Sequence, residues 1–154
     1  MLINCAGISG APLDWRDTDS ALLTQYFQTM VVGPLLVSKA FLPNLELSAS
    51  GKLVNITSKL ASISQNSRGT KIAYKIAKAG LNQQSRTIAL DLESIGSKVT
   101  VLALDPGHVA TRLSGWKGKI EVLESVNGMY DVIERVTLAD SGTFLRWNGE
   151  TLPW

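Results

Sequence analysis

The stretch Val99-Thr100-Val101-Leu102-Ala103-Leu104 is apolar at almost every position, and Asp105-Pro106-Gly107 breaks it. A strand without a polar face expects cover on both faces, the condition of a strand inside a parallel sheet. Working outward, Leu53-Val54-Asn55-Ile56-Thr57 reads as a second strand, entered from Ser48-Ala49-Ser50-Gly51. Met1–Ala6 is a short apolar run ending at Gly7, and Phe144–Trp147 is a last short strand. Between the first two strands, after a Gly-, Pro- and Asp-rich loop over Gly7–Asp19, Leu22, Leu23, Phe27, Met30, Val31, Leu35, Val37 and Phe41 recur at helical spacing over Ser20–Leu45. Asp19 or Ser20 can cap its start, and Pro34 predicts a bend beside Gly33. A second helix is expected over Lys71–Ser94, ended by Gly96, and a third over Lys119–Val136. Strands alternating with helices at these spacings predict an α/β parallel sheet. The right-handed crossover rule puts the helices at 20–45 and 71–94 on one face.

Composition narrows the function classes. The chain has 154 residues, 45% hydrophobic, with a net charge of +2, enough for one globular domain with a core and too evenly charged to expect a nucleic-acid partner. The lone Cys5 excludes an intramolecular disulfide, reads as a small apolar core residue, and with His108 as the one histidine leaves no Cys/His metal site. Residues 1–20 lack the basic and apolar regions of a signal peptide, and no apolar run approaches ~18 residues. The expectation is a cytoplasmic protein without a membrane partner. There is no G-x-S-x-G elbow for a serine hydrolase, and His108 reads as a loop residue rather than a base.

In open α/β sheets, ligands bind beyond the carboxyl ends of the strands. That edge collects Asn4–Gly10, Ser58–Leu60 and Pro106–Arg112, with Tyr74 near the start of the helix after the second strand. Tyr74 and Lys78 are one helical turn apart on the same face. A fixed ammonium favours a phenolate, so Lys78 is expected to lower the Tyr74 pKa toward working pH, where a general acid or base is most effective.

With these residues in place, the sequence resembles the short-chain dehydrogenase/reductase family over its whole length. Asn4-Cys5-Ala6-Gly7 is similar to the family's Asn-Asn-Ala-Gly after the fourth strand, and Val54-Asn55-Ile56-Thr57-Ser58 to the fifth strand and its catalytic serine. Tyr74-x-x-x-Lys78 stands in the place of Tyr-x-x-x-Lys, and Pro106-Gly107-His108-Val109-Ala110-Thr111 resembles the segment that holds the nicotinamide. The ending from Asp140 to Trp154 resembles the C-factor and sniffer-like carbonyl reductase branch. The implied fold is the C-terminal part of a Rossmann-like doubly wound sheet, four parallel strands with three main helices.

The resemblance also implies roles. Ser58, Tyr74 and Lys78 are the implied catalytic residues: Tyr74 exchanges the proton, Ser58 holds the substrate oxygen, and Lys78 tunes Tyr74 and binds the ribose. Asn4, Ala6, Gly7, Pro106, Gly107, Val109 and Thr111 join Tyr74 and Lys78 in binding NADP or NAD, NADPH being favoured by the subgroup. The partner is a small carbonyl or alcohol, with a homo- or hetero-oligomer possible through the helices at 20–45 and 71–94.

Two departures stand out. Met30 occupies the place of an asparagine that anchors the family's proton-relay water, and a thioether cannot donate a hydrogen bond. The adjacent Thr29 points ~100° away on a helix. The family's glycine-rich phosphate turn and its first three strand–helix units have no counterpart, so the resemblance implies an N-terminally truncated reductase. Gly7-Ile8-Ser9-Gly10 does not replace that turn. Two function classes follow: an NAD(P)-dependent oxidoreductase, or an inactive paralogue acting as an interaction partner. The segment Arg112–Gly118 reads as a lid, with Trp116 for an apolar substrate and Gly115 and Gly118 as hinges.

Overall fold

The computed structural model describes residues 1–10, 12 and 14–154. The loop expected over Gly7–Asp19 therefore includes two positions, 11 and 13, outside the described residues. Strands β1 (Leu2–Asn4), β2 (Lys52–Ile56), β3 (Thr100–Asp105) and β4 (Thr143–Arg146) form one sheet in the order β1-β2-β3-β4. All pairs are parallel, with Ile3 beside Val54, Val54 beside Leu102 and Leu104 beside Leu145. This is the Rossmann-like α/β architecture expected from the sequence. Asp105 is the last residue of β3 rather than its breaker.

Helix α1 (Ser20–Phe27) starts where the Asp19 carboxylate accepts the Leu22 amide at 2.8 Å. It runs through a π-helical turn, Gln28–Val32, into α2 (Gly33–Glu46). Pro34 has no N–H to give the Met30 carbonyl one turn earlier, so the α-pattern is interrupted there. The Gln84 amide, oriented to satisfy both neighbours, donates to the Val31 carbonyl at 3.0 Å and accepts from Leu35 N at 3.2 Å. Helix α3 (Ile72–Ser94) follows β2, and α4 (Val122–Arg135) precedes β4. The third helix begins later than expected because Ile120 bridges Val109 and keeps the chain extended.

The two sheet faces carry different covers. Leu53 and Val101 pack with Leu45, Ala89 and Leu92, from α2 and α3. Val54, Leu102, Leu104 and Leu145 point the other way and pack with Val132 and Ile133 of α4 and with Val136. Thus α1, α2 and α3 share a face, and α4 lies on the other. All three connections step the sheet in one direction, so the β3-to-β4 crossover has the opposite hand to the first two. The excursion over residues 106–121 carries the chain across the sheet edge before α4 starts, which removes the constraint that favours one hand.

Cover is incomplete at β1. Ile3, on the α4 face, is 42% exposed, and β1 pairs on one side only. Cys5 is exposed, contrary to the core position expected, because the strand ends at Asn4 on this open edge. The continuous helix Ser20–Glu46 is 27 residues long, and an 18-residue window of it reaches a mean hydropathy of 1.2. It is long and apolar enough to cross a membrane by length and composition alone, although polar residues interrupt it throughout. Here Tyr26, Met30 and Val31 of this helix pack on Ala73 and Ala77 of α3.

Candidate active site

The site stands at the carboxyl ends of β1, β2 and β3. Tyr74 and Lys78 lie in the first two turns of α3, whose Ala73 and Ala77 are buried against α1. Small residues there let the helix approach closely and leave Tyr74 and Lys78 facing the sheet edge. Ser58, just past β2, accepts the Leu60 amide at 3.2 Å and so caps a short helical turn. Its side chain faces the Tyr74 phenol closely enough to oppose the rise in that group's pKa. Gly7 faces both remaining parts: a Cβ placed on it would lie 3.9 Å from Met30 Sδ and 4.0 Å from Lys78 Nζ.

Lys78 Nζ donates to the Ile56 carbonyl at 2.7 Å. Burial pushes its pKa down to about 8, with Cys5 opposing in part. Burial raises the Tyr74 pKa, the Ser58 hydroxyl draws it partly back, and the charges of Asp105 and Tyr26 add to the rise. The expected lowering of Tyr74 by Lys78 is therefore corrected for the protein alone. Desolvation penalises the phenolate, and the ammonium is directed at a backbone carbonyl.

The Lys78 shift has a consequence for stability. Its folded pKa lies below the unfolded one, so its contribution is present above the unfolded value and is lost as pH falls through about 8. The fall from 10.5 to about 8 corresponds to ~3 kcal/mol. Lys78→Met, which keeps the stem and removes the buried charge, is expected to raise neutral-pH stability by up to that amount, less the lost Ile56 bond. Denaturant unfolding at neutral and alkaline pH checks this; equal stabilisation at both would refute it.

The remaining residues divide by environment. The Asn4 amide turns into the sheet–helix interface, donating to Asn55 Oδ1 at 2.8 Å and Ser38 Oγ at 3.0 Å. Asn55 in turn donates to Ser85 at 2.9 Å, and Thr57 to Asn82 at 2.6 Å. These bonds lock β1 and β2 to α2 and α3, while Ala6 and Gly7 remain in the loop beyond β1. Pro106 is tied to α4 by Ser125 Oγ, 2.7 Å from its carbonyl. Gly107 has φ +80°, and a Cβ there would meet Ile120 Cδ1 at 2.4 Å, so only glycine fits. Val109 bridges Ile120, and Thr111 N donates to Ser114 Oγ at 3.1 Å. The base of the lid is closed by this packing: a Cβ on Gly118 would lie 2.1 Å from Ala110 N. On the lid, Trp116 is 71% exposed with φ +61°, a conformation uncommon for a side chain of its size.

Sequence reasoning passed over Tyr26 and Asp105. Both are buried, and Tyr26 Oη and Asp105 Oδ2 have no hydrogen-bond partner among the described residues. A polar residue amid an otherwise apolar run was the available signal. A cavity of about 340 Å³ opens nearby between Trp15, Leu60, Ile63, Ile72 and Ile76, and Ser58, Tyr74 and Lys78 do not line it.

This arrangement places a phenol, a hydroxyl and a buried lysine together at the edge of a Rossmann-like parallel sheet. The sequence pattern of the short chain dehydrogenase family matches residues 1–121, and the chain belongs to that family. It is 37% identical to the C-signal of Myxococcus xanthus over 100% of this chain and 92% of that protein. Among solved structures, the carbonyl reductase Sniffer of D. melanogaster superposes with a TM-score of 0.93 at 27% identity, covering 99% of this chain and 65% of that one. The NADPH-bound carbonyl reductase from chicken fatty liver gives 0.87 at 30% identity, covering 99% and 64%. The chain thus spans most of the C-signal and under two thirds of these two reductases.

Proposed function

We propose that the chain carries the catalytic half of an NAD(P)H-dependent carbonyl reductase. The observation that carries this reading is the meeting of Ser58, at the end of β2, with Tyr74 and the buried Lys78, one turn apart on α3, at the carboxyl edge of the sheet. The protein's own groups suit the nicotinamide end of the cofactor. Lys78 Nζ has three donors and bonds one carbonyl, which leaves N–H groups for ribose hydroxyls. Ala6, Gly7, Pro106, Gly107, Val109 and Thr111 surround the same edge. Among the described residues no glycine-rich turn opens a helix, and α1 starts ten residues after Gly10, at Ser20. NADP is the first choice, by likeness to the NADPH-bound chicken enzyme, with NAD the alternative.

When bound, NAD(P)H supplies the hydride. Ser58 holds the carbonyl oxygen of the substrate. Tyr74, kept protonated by burial, donates its phenolic proton to that oxygen as negative charge develops. Lys78 orients the ribose and stabilises the phenolate left behind. Trp116 offers an apolar wall for an aldehyde, quinone or ketone. Carbonyl-dependent oxidation of NADPH tests the reading, using the chain joined to the three strand–helix units of a full-length relative. Loss of that activity in Ser58→Ala supports it, and absence of turnover with every carbonyl class refutes it.

Met30 modifies the expected rate. Its side chain is fully buried with the sulfur facing Gly7, where the family resemblance places an amide. Met30→Asn in the same joined protein is expected to raise turnover several-fold by restoring a water anchor. A folded, cofactor-binding Met30→Asn protein with unchanged turnover would show that the proton travels elsewhere.

One observation favours a second reading, an interaction partner without chemistry: the relative matched along nearly its full length bears the name of a signal. A Tyr74→Phe protein that keeps its cellular effect would select this reading.

A further inference from the structure

On the α3 face of the sheet, Ala103 and Phe144 stand side by side in register, and their buried neighbour is Leu152 rather than a helix residue. The chain reaches this place by folding back after β4. Gly149 N donates to the Arg146 carbonyl at 2.8 Å, Leu145 then bridges Thr151 in the antiparallel sense, and Leu152 N donates to the Phe144 carbonyl at 2.8 Å. Two residues on, the Trp154 ring stacks on Phe144, with centroids 5.4 Å apart. The main-chain oxygen of Trp154 then accepts three hydrogen bonds, all from the loop after β2: Ser64 Oγ at 2.8 Å, Ser64 N at 3.2 Å and Ser62 Oγ at 3.3 Å.

That loop begins at Ser58. The Ser58 carbonyl accepts Ala61 N at 2.8 Å, the Lys59 carbonyl accepts Ser62 N at 3.1 Å, and Ser62 Oγ accepts Gln65 N at 3.2 Å. A short series of bonds therefore runs from the residue that ends β2 to the Trp154 oxygen. Farther along, Lys75 of α3 holds the loop by Asn66 Oδ1 at 2.6 Å and by the Arg68 carbonyl. Between the turn at 59–61 and α3 the chain has no regular element, so backbone entropy favours a loose segment unless ties of this kind oppose it. Packing accounts for Leu152 and for the Trp154 ring, which cover β4 where no helix does. It does not account for three donors gathered on one oxygen. Ser64 is exposed, and its hydroxyl would be satisfied by water without Trp154.

We propose that residues 152–154 form a strap, and that Trp154 is a positioning residue whose main-chain oxygen holds the loop carrying Ser58. The ring on Phe144 fixes the strap to the sheet, and the oxygen passes that rigidity to Ser62 and Ser64. The tie does not depend on the reductase reading, but its purpose rests on it: Ser58 must keep its place beside Tyr74 while the substrate oxygen takes the proton.

Hydrogen exchange of the 154-residue chain, followed by mass spectrometry of its peptides, tests the strap without any turnover. Ser64→Ala removes the shortest of the three bonds at an exposed position and leaves the Trp154 ring on Phe144. It is expected to speed exchange roughly fivefold, the scale of one hydrogen bond, over residues 59–66, with β4 and α4 unchanged. Ser64→Thr, which keeps the hydroxyl, should exchange as the parent does. Trp154→Ala should loosen the same loop at least as much, whereas Trp154→Phe, which keeps a ring on Phe144, should hold it. Adding Ser64→Ala to Trp154→Ala should change little more, because both cut one link. A loop that is unprotected in the parent or unaffected by Ser64→Ala overturns the proposal, as does loosening spread over the whole chain. In the joined protein, Ser64→Ala should lower kcat with KM for cofactor little changed. Loosening by exchange in a joined protein that turns over no carbonyl would uphold the strap and refute the reductase reading. An unaffected loop in an active joined protein would do the reverse.

Discussion

Replacing Tyr74 with phenylalanine is expected to lower carbonyl-dependent turnover roughly 10²–10⁴-fold in the chain joined to the first strand–helix units of a full-length relative, with cofactor binding retained. The ring of Tyr74 packs with Met30, Ala73 and Ala77, and phenylalanine fills the same space, so the loss isolates the hydroxyl. Burial holds that hydroxyl protonated across neutral pH, which is the form reduction consumes. Ser58→Ala removes the proposed contact to the substrate oxygen, and should cost on the order of 10²–10³-fold. Lys78→Ala should damage binding and turnover together. Activity of Tyr74→Phe within about tenfold of the parent, a barrier change of only ~1.4 kcal/mol, would sink the assignment.

The 154-residue chain by itself is expected to self-associate and to bind NADPH or NADH weakly. Two surfaces lead to this. Among the described residues β1 pairs only with β2, so its outer edge presents N–H and C=O groups beside the exposed Ile3, an invitation to another strand. On the opposite side of the molecule's helical layer, Phe27, Leu35, Leu36 and Phe41 are 45%, 44%, 59% and 51% exposed along α1 and α2. Contiguous apolar surface of that kind marks association sites. Weak cofactor binding follows from the absence of a phosphate-binding turn in the sequence, since Lys78 and the Gly107 turn hold one end of the ligand only. Sedimentation and thermal melting with cofactor titrated in are the measurements. Leu36→Asp should reduce association if the helices carry it and leave it unchanged if the β1 edge does. A monomer whose cooperative melt rises with micromolar NADPH would overturn the expectation.

Much of this protein is written locally. The apolar run Val99–Leu104 contains its own instruction for a doubly covered strand, and the alternation of such runs with helical spacing defines the parallel sheet. Asp19 caps α1 by chemistry within three residues. The four-residue step from Tyr74 to Lys78 places both on one face of α3, whatever surrounds them. Pro34 announces the break beside Gly33, although its π-helical form depends on Gln84 reaching across from α3. Other properties arise only when distant segments meet. The lowered pKa of Lys78 and the raised one of Tyr74 are desolvation effects, set by every group packed around them, and a sequence neighbour four residues away cannot predict their sign. Asn4 looks like an edge residue in the sequence and becomes a strut because Asn55 and Ser38 arrive beside it. The face chosen by α4 follows from the path of residues 106–121 across the sheet edge. Asp105 looks in the sequence like the start of a turn, and it faces Arg146 at 3.7 Å only because β3 and β4 pair in parallel register.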